Sequence, residues 1–264
     1  MLCFLTTLLL ARVKTAMLYN MTEKRIMFAQ NVHTSVYPAS LTKKMTLYLL
    51  FKALKEKKVN LNTKLKISKY AAGQPRCRLE LKPGDTITVK EAILAIIIRS
   101  CNSSSFVVAE NLAGSVPAFV NKMNIAAKAL HLNNTHFKNP SGWHDKNQKT
   151  TAWDMMKLAC ALYRHFPEYR HFFKEKQFKY RNQVVHTHNR IANVCPGAVG
   201  IKTGFHNPAG FNLTTFCTRT DKTGRKRHLM SVVMGENSPQ ERAKKTCQLF
   251  NKFYKCPSKR SLKS

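Results

Sequence analysis

Strand-like segments stand at both ends of this chain and helical segments fill the middle, and that order constrains the fold more tightly than any other feature of the sequence. Residues 16–20 and 25–29 are short apolar stretches around Thr22-Glu23-Lys24, which predicts a hairpin although the turn lacks the usual glycine. Residues 198–203, 209–219 and 228–235 again have strand character, and 239–254 returns to helix. A lone hairpin cannot bury its apolar face, so both ends are expected to share one antiparallel sheet flanked by helices. The fold class predicted is α+β with an inserted all-helical subdomain, not an alternating βαβ chain.

Between the ends, Ser40 to about Lys57 carries apolar residues around nearly its whole circumference and predicts a buried helix. Lys82-Pro83-Gly84-Asp85 is a turn, and Thr86 to Val89 leads into a very apolar helix from Glu91 to Ile98. Polar residues from Arg99 to Ser105 break that pattern before Phe106 to Leu112 resumes it, with Gly114 as a stop. A helix at 117–130 follows, and Thr151 to Asp154 resembles a capping box opening a helix to Phe166. The domain division expected is an apolar N-terminus at 1–15, a catalytic domain at 16–255 with its helical part at about 60–170, and a basic tail at 256–264.

Composition excludes more than it selects. The 45 Lys and Arg against 13 Asp and Glu give a net charge of +32 spread along the whole chain, a field that attracts polyanions. No zinc finger, RNP-type strand motif or isolated basic helix is present, so anionic envelope polymers are expected as partners and specific nucleic acid is not. Eight cysteines without a C-x-x-C, and scattered histidines without H-E-x-x-H, give no metal site; the His186-x-His188 pair is read as alternation on a strand. The opening run MLCFLTTLLL, followed by Arg12 and Lys14, is too short to span a bilayer and reads as a clipped export signal.

Three short motifs carry chemistry. Ser40-Leu-Thr-Lys43 is the chain's only S-x-x-K and stands where the buried helix opens. Residues three apart on a helix share a face, so Lys43 is brought beside the Ser40 hydroxyl. That hydroxyl is a poor nucleophile until a base takes its proton, and burial among Met45, Leu47 and Leu50 favours the neutral amine needed for the task. Taken alone, the motif is equally an N-cap serine and an ordinary surface lysine. Ser100-Cys-Asn102, the only S-x-N, interrupts two apolar helices; a second hydroxyl there can pass a proton, and Asn102 can bind a peptide carbonyl. Capping of the next helix explains the same residues. Lys202-Thr203-Gly204 ends an apolar strand, where Gly204 lets a ligand approach the backbone closely. A second copy, Lys222-Thr223-Gly224, lies among charged residues and reads as a solvent-exposed hairpin turn.

The three motifs in this order are a signature of penicillin-binding proteins and serine β-lactamases. The chain resembles the D-alanyl-D-alanine carboxypeptidases, low-molecular-mass penicillin-binding proteins of bacterial envelopes. The likeness runs from about Met17 to Tyr254 through PASLTKKMT at 38–46, LKPGDTITVKEAIL at 81–94, VAENLAG at 108–114, NPSGW at 139–143, GIKTG at 200–204 and AGFNL at 209–213. The resemblance implies that Ser40 attacks the bond between two terminal D-alanines of a peptidoglycan pentapeptide, with Lys43 as base and Ser100 as proton relay. It further implies that Asn102, Lys202, Thr203, Gly204 and Arg242 hold the substrate, and that the backbone N–H groups of Ser40 and Phe205 form the oxyanion hole. The guanidinium fork of Arg242 suits the terminal carboxylate. β-Lactams would acylate the same serine, no cofactor is implied, and the place of action would be the periplasm or cell envelope, with no C-terminal membrane anchor evident. Two positions depart from the family pattern: Ser103 stands where aspartate is common, and His206 where threonine is common. A serine β-lactamase is the alternative enzyme, but no E-x-x-L-N stretch lies between Asn102 and Lys202; a non-catalytic wall-binding protein of the same fold is the other alternative.

Overall fold

In the computed structural model, residues 12–75 and 79–254 are described; the apolar opening residues read as an export signal and the 256–264 tail lie outside them. Thr15–Asn20 (β1) and Arg25–Gln30 (β2) form the first hairpin. Its turn manages without glycine because the Asn20 side-chain oxygen accepts from the Thr22 and Glu23 backbone N–H groups, both at 3.0 Å, while Lys24 takes a left-handed φ of 53°.

Helix α1 (Lys43–Lys55) follows a 3-10 turn at Ala39–Thr42 and buries Met45, Leu47, Leu50, Phe51 and Leu54. Each such side chain contributes about 2 kcal/mol through burial, which holds the helix in the middle of the molecule. A small ribbon of Lys64–Lys66 (β3) and Thr86–Thr88 (β4) brackets the short helix Lys69–Ala72 (α2). Val89–Ile98 (α3) opens on a full capping box: Thr88 Oγ1 accepts from the Glu91 N–H at 3.2 Å, and Glu91 Oε2 accepts from the Thr88 N–H at 2.8 Å.

Asn102–Ala113 (α4) starts earlier than the sequence pattern predicts, so the polar break shrinks to Arg99–Cys101. Cys101 Sγ, not Ser or Asn, caps it by accepting from the Ser104 N–H at 3.4 Å, and Cys101 is itself disulfide-bonded. Val116–Ala129 (α5) and Ala152–His165 (α6) complete the helical body. At α6 the resemblance to a capping box is half right: Thr151 Oγ1 accepts from the Asp154 N–H, but Asp154 Oδ2 accepts from the Asn134 N–H and the Thr135 hydroxyl instead of returning to the cap.

After a 3-10 segment at Pro167–Lys174, Gln177–Tyr180 (β5) and Gln183–His186 (β6) form a hairpin that the sequence pattern does not reveal. His188 lies beyond β6, so strand alternation does not account for the H-x-H pair. One helical turn, Ile191–Val194 (α7), precedes Ala198–His206 (β7), Gly210–Thr220 (β8), Lys226–Glu236 (β9) and Pro239–Phe253 (α8).

The main sheet is antiparallel throughout, in the order β2-β1-β9-β8-β7. β1 pairs with β9, which joins the two chain ends in one sheet. Successive residues feed opposite layers, as a period of two requires. Leu18 and Val233 pack toward α8 with Leu249 and Phe250, whereas Met17 and Val232 pack toward the helical body containing α1. β7 is left as an edge strand beside the opening of α1.

Candidate active site

Ser40 belongs to the 3-10 turn that leads into α1, behind Ala39 at a left-handed φ of 47°. The turn is held from two sides. Gly142 packs so closely that a Cβ there would lie 1.9 Å from the Ala39 carbonyl oxygen, and Asn212 on β8 donates to the Tyr37 and Pro38 carbonyls at 3.1 Å each. One turn on, Lys43 is fully buried, its Nζ 3.0 Å from Ser40 Oγ. The same Nζ donates to Asn102 Oδ1 at 2.7 Å and to the Ser141 carbonyl at 2.5 Å. Asn102 Nδ2 donates to the Pro75 carbonyl at 2.8 Å, which fixes which way its amide points.

A second hydroxyl and amine meet across the cleft. Ser100, at a left-handed φ of 57° between α3 and α4, accepts a 2.8 Å bond from Lys202 Nζ, which also donates to the Thr203 carbonyl at 2.9 Å. A bulge between Gly200 and Lys202 on β7 shifts the register just before this lysine. Burial pushes the Lys202 ammonium down to about 7, with the nearby Arg242 charge acting in the same direction. Gly204 brings β7 onto the turn that carries Ser40: a Cβ there would lie 3.2 Å from the Ser40 nitrogen.

These groups open on one cleft of about 460 Å³ whose walls include Ser40, Ser100, Asn102, Thr203, Phe205 and Arg242. Arg242 reaches it from the first turns of α8, donates to the Asn212 carbonyl at 3.2 Å, and keeps a buried Nε without a hydrogen-bond partner. Burial lowers its guanidinium to about 10. The second K-T-G copy lies in the β8–β9 turn, where Asp221 Oδ1 accepts from the Thr223 and Arg225 N–H groups.

The two departures from the family pattern differ in consequence. Ser103 turns away from the cleft and donates to the Gln74 carbonyl at 3.2 Å. His206 lines the cleft, with its ring centroid 5.0 Å from that of His144 and 5.8 Å from that of Tyr37. Sequence reasoning missed the Ser141 carbonyl on Lys43 and the imidazole of His188, whose Nε2 lies 2.7 Å from Thr203 Oγ1. Both lie outside the three motifs; NPSGW at 139–143 hinted at the first, and nothing hinted at the second.

An antiparallel sheet flanked by helices, with a serine–lysine pair at the mouth of the central helix and a second formed by Ser100 between two helices and Lys202 on the facing edge strand, defines a protein of the serine DD-peptidase and penicillin-binding class. Residues 9–238 match the Peptidase_S11 family, described as D-alanyl-D-alanine carboxypeptidase, and the chain belongs to that family. It is 34% identical over 243 residues to the D-alanyl-D-alanine carboxypeptidase DacF of Bacillus subtilis, covering 90% of this chain and 61% of that protein. It is also 34% identical to DacC of Escherichia coli over 227 residues, 83% of this chain and 55% of the relative. The chain thus spans a little over half the length of these relatives. Penicillin-binding protein 5 of Haemophilus influenzae superposes with a TM-score of 0.81 at 30% identity, over 90% of this chain and 69% of that one.

Proposed function

We propose that this protein is a serine-type D-alanyl-D-alanine carboxypeptidase that removes the terminal D-alanine of peptidoglycan stem peptides through an acyl-enzyme on Ser40. The observation that carries the reading is the Lys43 amine, buried and 3.0 Å from the Ser40 hydroxyl. With two of its positions committed to the carbonyl oxygens of Asn102 and Ser141, a neutral Lys43 turns its lone pair to Ser40.

Ser40 Oγ attacks the penultimate D-alanine carbonyl while its proton passes to Lys43. The oxyanion is held by the N–H groups of Ser40 and Phe205; losing one such donor typically costs about 10²–10³ in rate. The C–N bond then breaks, and the leaving amine takes its proton from Lys43 through the Ser100 hydroxyl, which Lys202 orients at 2.8 Å. Water cleaves the acyl ester and restores Ser40. Asn102 and the exposed edge of β7 hold the extended peptide backbone, Gly204 allows the close approach, and Thr203 and Arg242 take the terminal carboxylate. β-Lactams present a reactive amide to the same serine; the relative penicillin-binding protein D2 of Listeria monocytogenes has been seen with ampicillin bound.

The charge of +32 would hold the enzyme on anionic envelope polymers, in keeping with action outside the cytoplasm. Among the described residues no helix is long and apolar enough to cross a membrane.

The test is labelling with a fluorescent penicillin followed by assay of D-alanine release from a D-Ala-D-Ala peptide. Stable labelling together with D-alanine release is expected, and both should vanish in Ser40→Ala and Lys43→Ala proteins that still fold. Rapid penicillin turnover without D-alanine release would instead make the protein a β-lactamase. No labelling at all would leave a wall-binding protein.

A further inference from the structure

His188 joins the two walls of the cleft without belonging to any of the three motifs. Its Nδ1 lies 2.9 Å from the carbonyl oxygen of Ile98, the last residue of α3 and two before Ser100. Its Nε2 lies 2.7 Å from Thr203 Oγ1 on the facing strand. A carbonyl oxygen can only accept, so Nδ1 carries the ring's proton. A neutral imidazole has one N–H; Nε2 is therefore bare, and the Thr203 hydroxyl donates to it.

That assignment leaves Thr203 facing the wrong way for an anion. Its single proton is committed to His188, so only oxygen lone pairs face the cleft, beside an Arg242 whose buried Nε has no partner. We propose that His188 is a positioning residue of the carboxylate subsite: when a carboxylate docks on Thr203 and Arg242, His188 takes up one proton from solvent at Nε2. The new N–H donates to Thr203 Oγ1, and the freed threonine proton turns to the carboxylate. One proton enters, no covalent bond other than that N–H forms, and the ion pair in the cleft is completed. The proposal rests on the reading of Thr203 and Arg242 given above.

The charges around the ring set the sign. Burial pushes the imidazole down to about 4, and Lys202, Arg99 and Arg242 push in the same direction against the Ile98 carbonyl. No carboxylate is among these influences, and the ligand would bring one. Docking therefore favours the imidazolium, and by reciprocity the imidazolium favours docking. Affinity for a carboxylate should rise as pH falls from neutrality, by at most about tenfold per pH unit, and level off near the free-protein value of about 4, where the proton is already present.

Histidine ¹⁵N NMR on the Ser40→Ala protein tests this directly. Without peptide, His188 should show a protonated Nδ1 and a bare Nε2. With a saturating D-Ala-D-Ala peptide at pH 6 both nitrogens should be protonated, and with the same peptide ending in a carboxamide Nε2 should stay bare. In the wild type, KM for the carboxylate peptide should fall about tenfold from pH 8 to pH 6. His188→Gln, whose amide N–H donates to Thr203 at every pH, should lose most of that slope and keep kcat within a few-fold. A bare Nε2 in the peptide-saturated protein, or an unchanged KM slope in His188→Gln, overturns the proposal. Failure of the wild type to release D-alanine would sink the enzymatic reading instead, and the NMR result separates the two.

Discussion

Gly142 positions Ser40 by having no side chain. Its φ is 80°, and an added Cβ would meet the Ala39 carbonyl oxygen at 1.9 Å and its carbon at 2.5 Å, so Gly142→Ala has to push the turn that carries Ser40. The expected result is a folded protein whose penicillin acylation rate falls at least tenfold, measured by labelling kinetics beside circular dichroism; an unchanged rate would show that the turn is set elsewhere. Side chains with distinctive chemistry could be read from the sequence: Ser40, Lys43, Ser100, Asn102 and Lys202 stand in three spaced motifs, and the structure brings all five to one cleft or its immediate backing. The K-T-G decoy at 222–224 could be set aside because its charged neighbours suit a solvent-exposed turn. What escaped the reading acts through groups that carry no sequence signal. Every residue has a carbonyl, so the NPSGW likeness pointed to the segment but not to the 2.5 Å bond at Ser141, and His188, one of the H-x-H pair, has partners 90 and 15 residues away.

The junctions between elements decide where the motif residues sit. Helix α3 must end at a fixed place for Ser100 to face Lys202, and its start is pinned by the Thr88–Glu91 box. Thr88→Ala removes one acceptor from the first turn and should cost about 1 kcal/mol, lowering Tm by roughly 2–4 °C in a chain of this size. Thermal denaturation checks it; a loss below a few tenths of a kcal/mol would mean that packing alone fixes the helix start. Long helices were legible because apolar periodicity extends over several turns. The start of α4 was not. Ser103 and Ser105 are buried on the helix and satisfied by the Gln74 and Cys101 carbonyls, so their polarity mimicked a loop. The β5–β6 hairpin was also hidden: its two short strands turn through Arg181 at a left-handed φ of 51° without the Asn-Gly or Asp-Gly signal that would mark it.

For the whole molecule, strand patterns at the two ends implied a shared sheet because neither end could bury its apolar face alone. The order β2-β1-β9-β8-β7 combines three local hairpin pairings with one long-range pairing, β1 with β9, between residues over 200 positions apart such as Leu18 and Ser231, and that pairing leaves no local trace. The same packing buries Lys44 and Lys202 on hydroxyl and carbonyl oxygens instead of carboxylates. Lys44 donates to the Met155 carbonyl and the Thr214 hydroxyl at 2.9 Å each, Lys202 serves the cleft, and burial holds both ammonium groups near 7 against an ordinary value of 10.5. Below pH 7 both are charged in the folded and unfolded states alike, so the native state bears the full cost of burying them. Above pH 7 the folded protein sheds these protons while the unfolded chain keeps them; the unfolded state then binds more protons, and stability must rise with pH. Each lysine adds at most about 1.4 kcal/mol per pH unit. Two buried thiols oppose this from about pH 8.5–9, where cysteines of the unfolded chain begin to ionise. Burial raises Cys160 to about 11 and Cys195 higher still, so ionisation in the unfolded chain alone draws the equilibrium toward unfolding. The urea midpoint should therefore climb between pH 7 and 8.5 and flatten above about pH 9. In Lys44→Met the climb should lose about one proton's worth of slope. A flat or falling wild-type midpoint across that window, or a Lys44→Met slope equal to wild type, would mean that the two lysines are not held neutral in the fold.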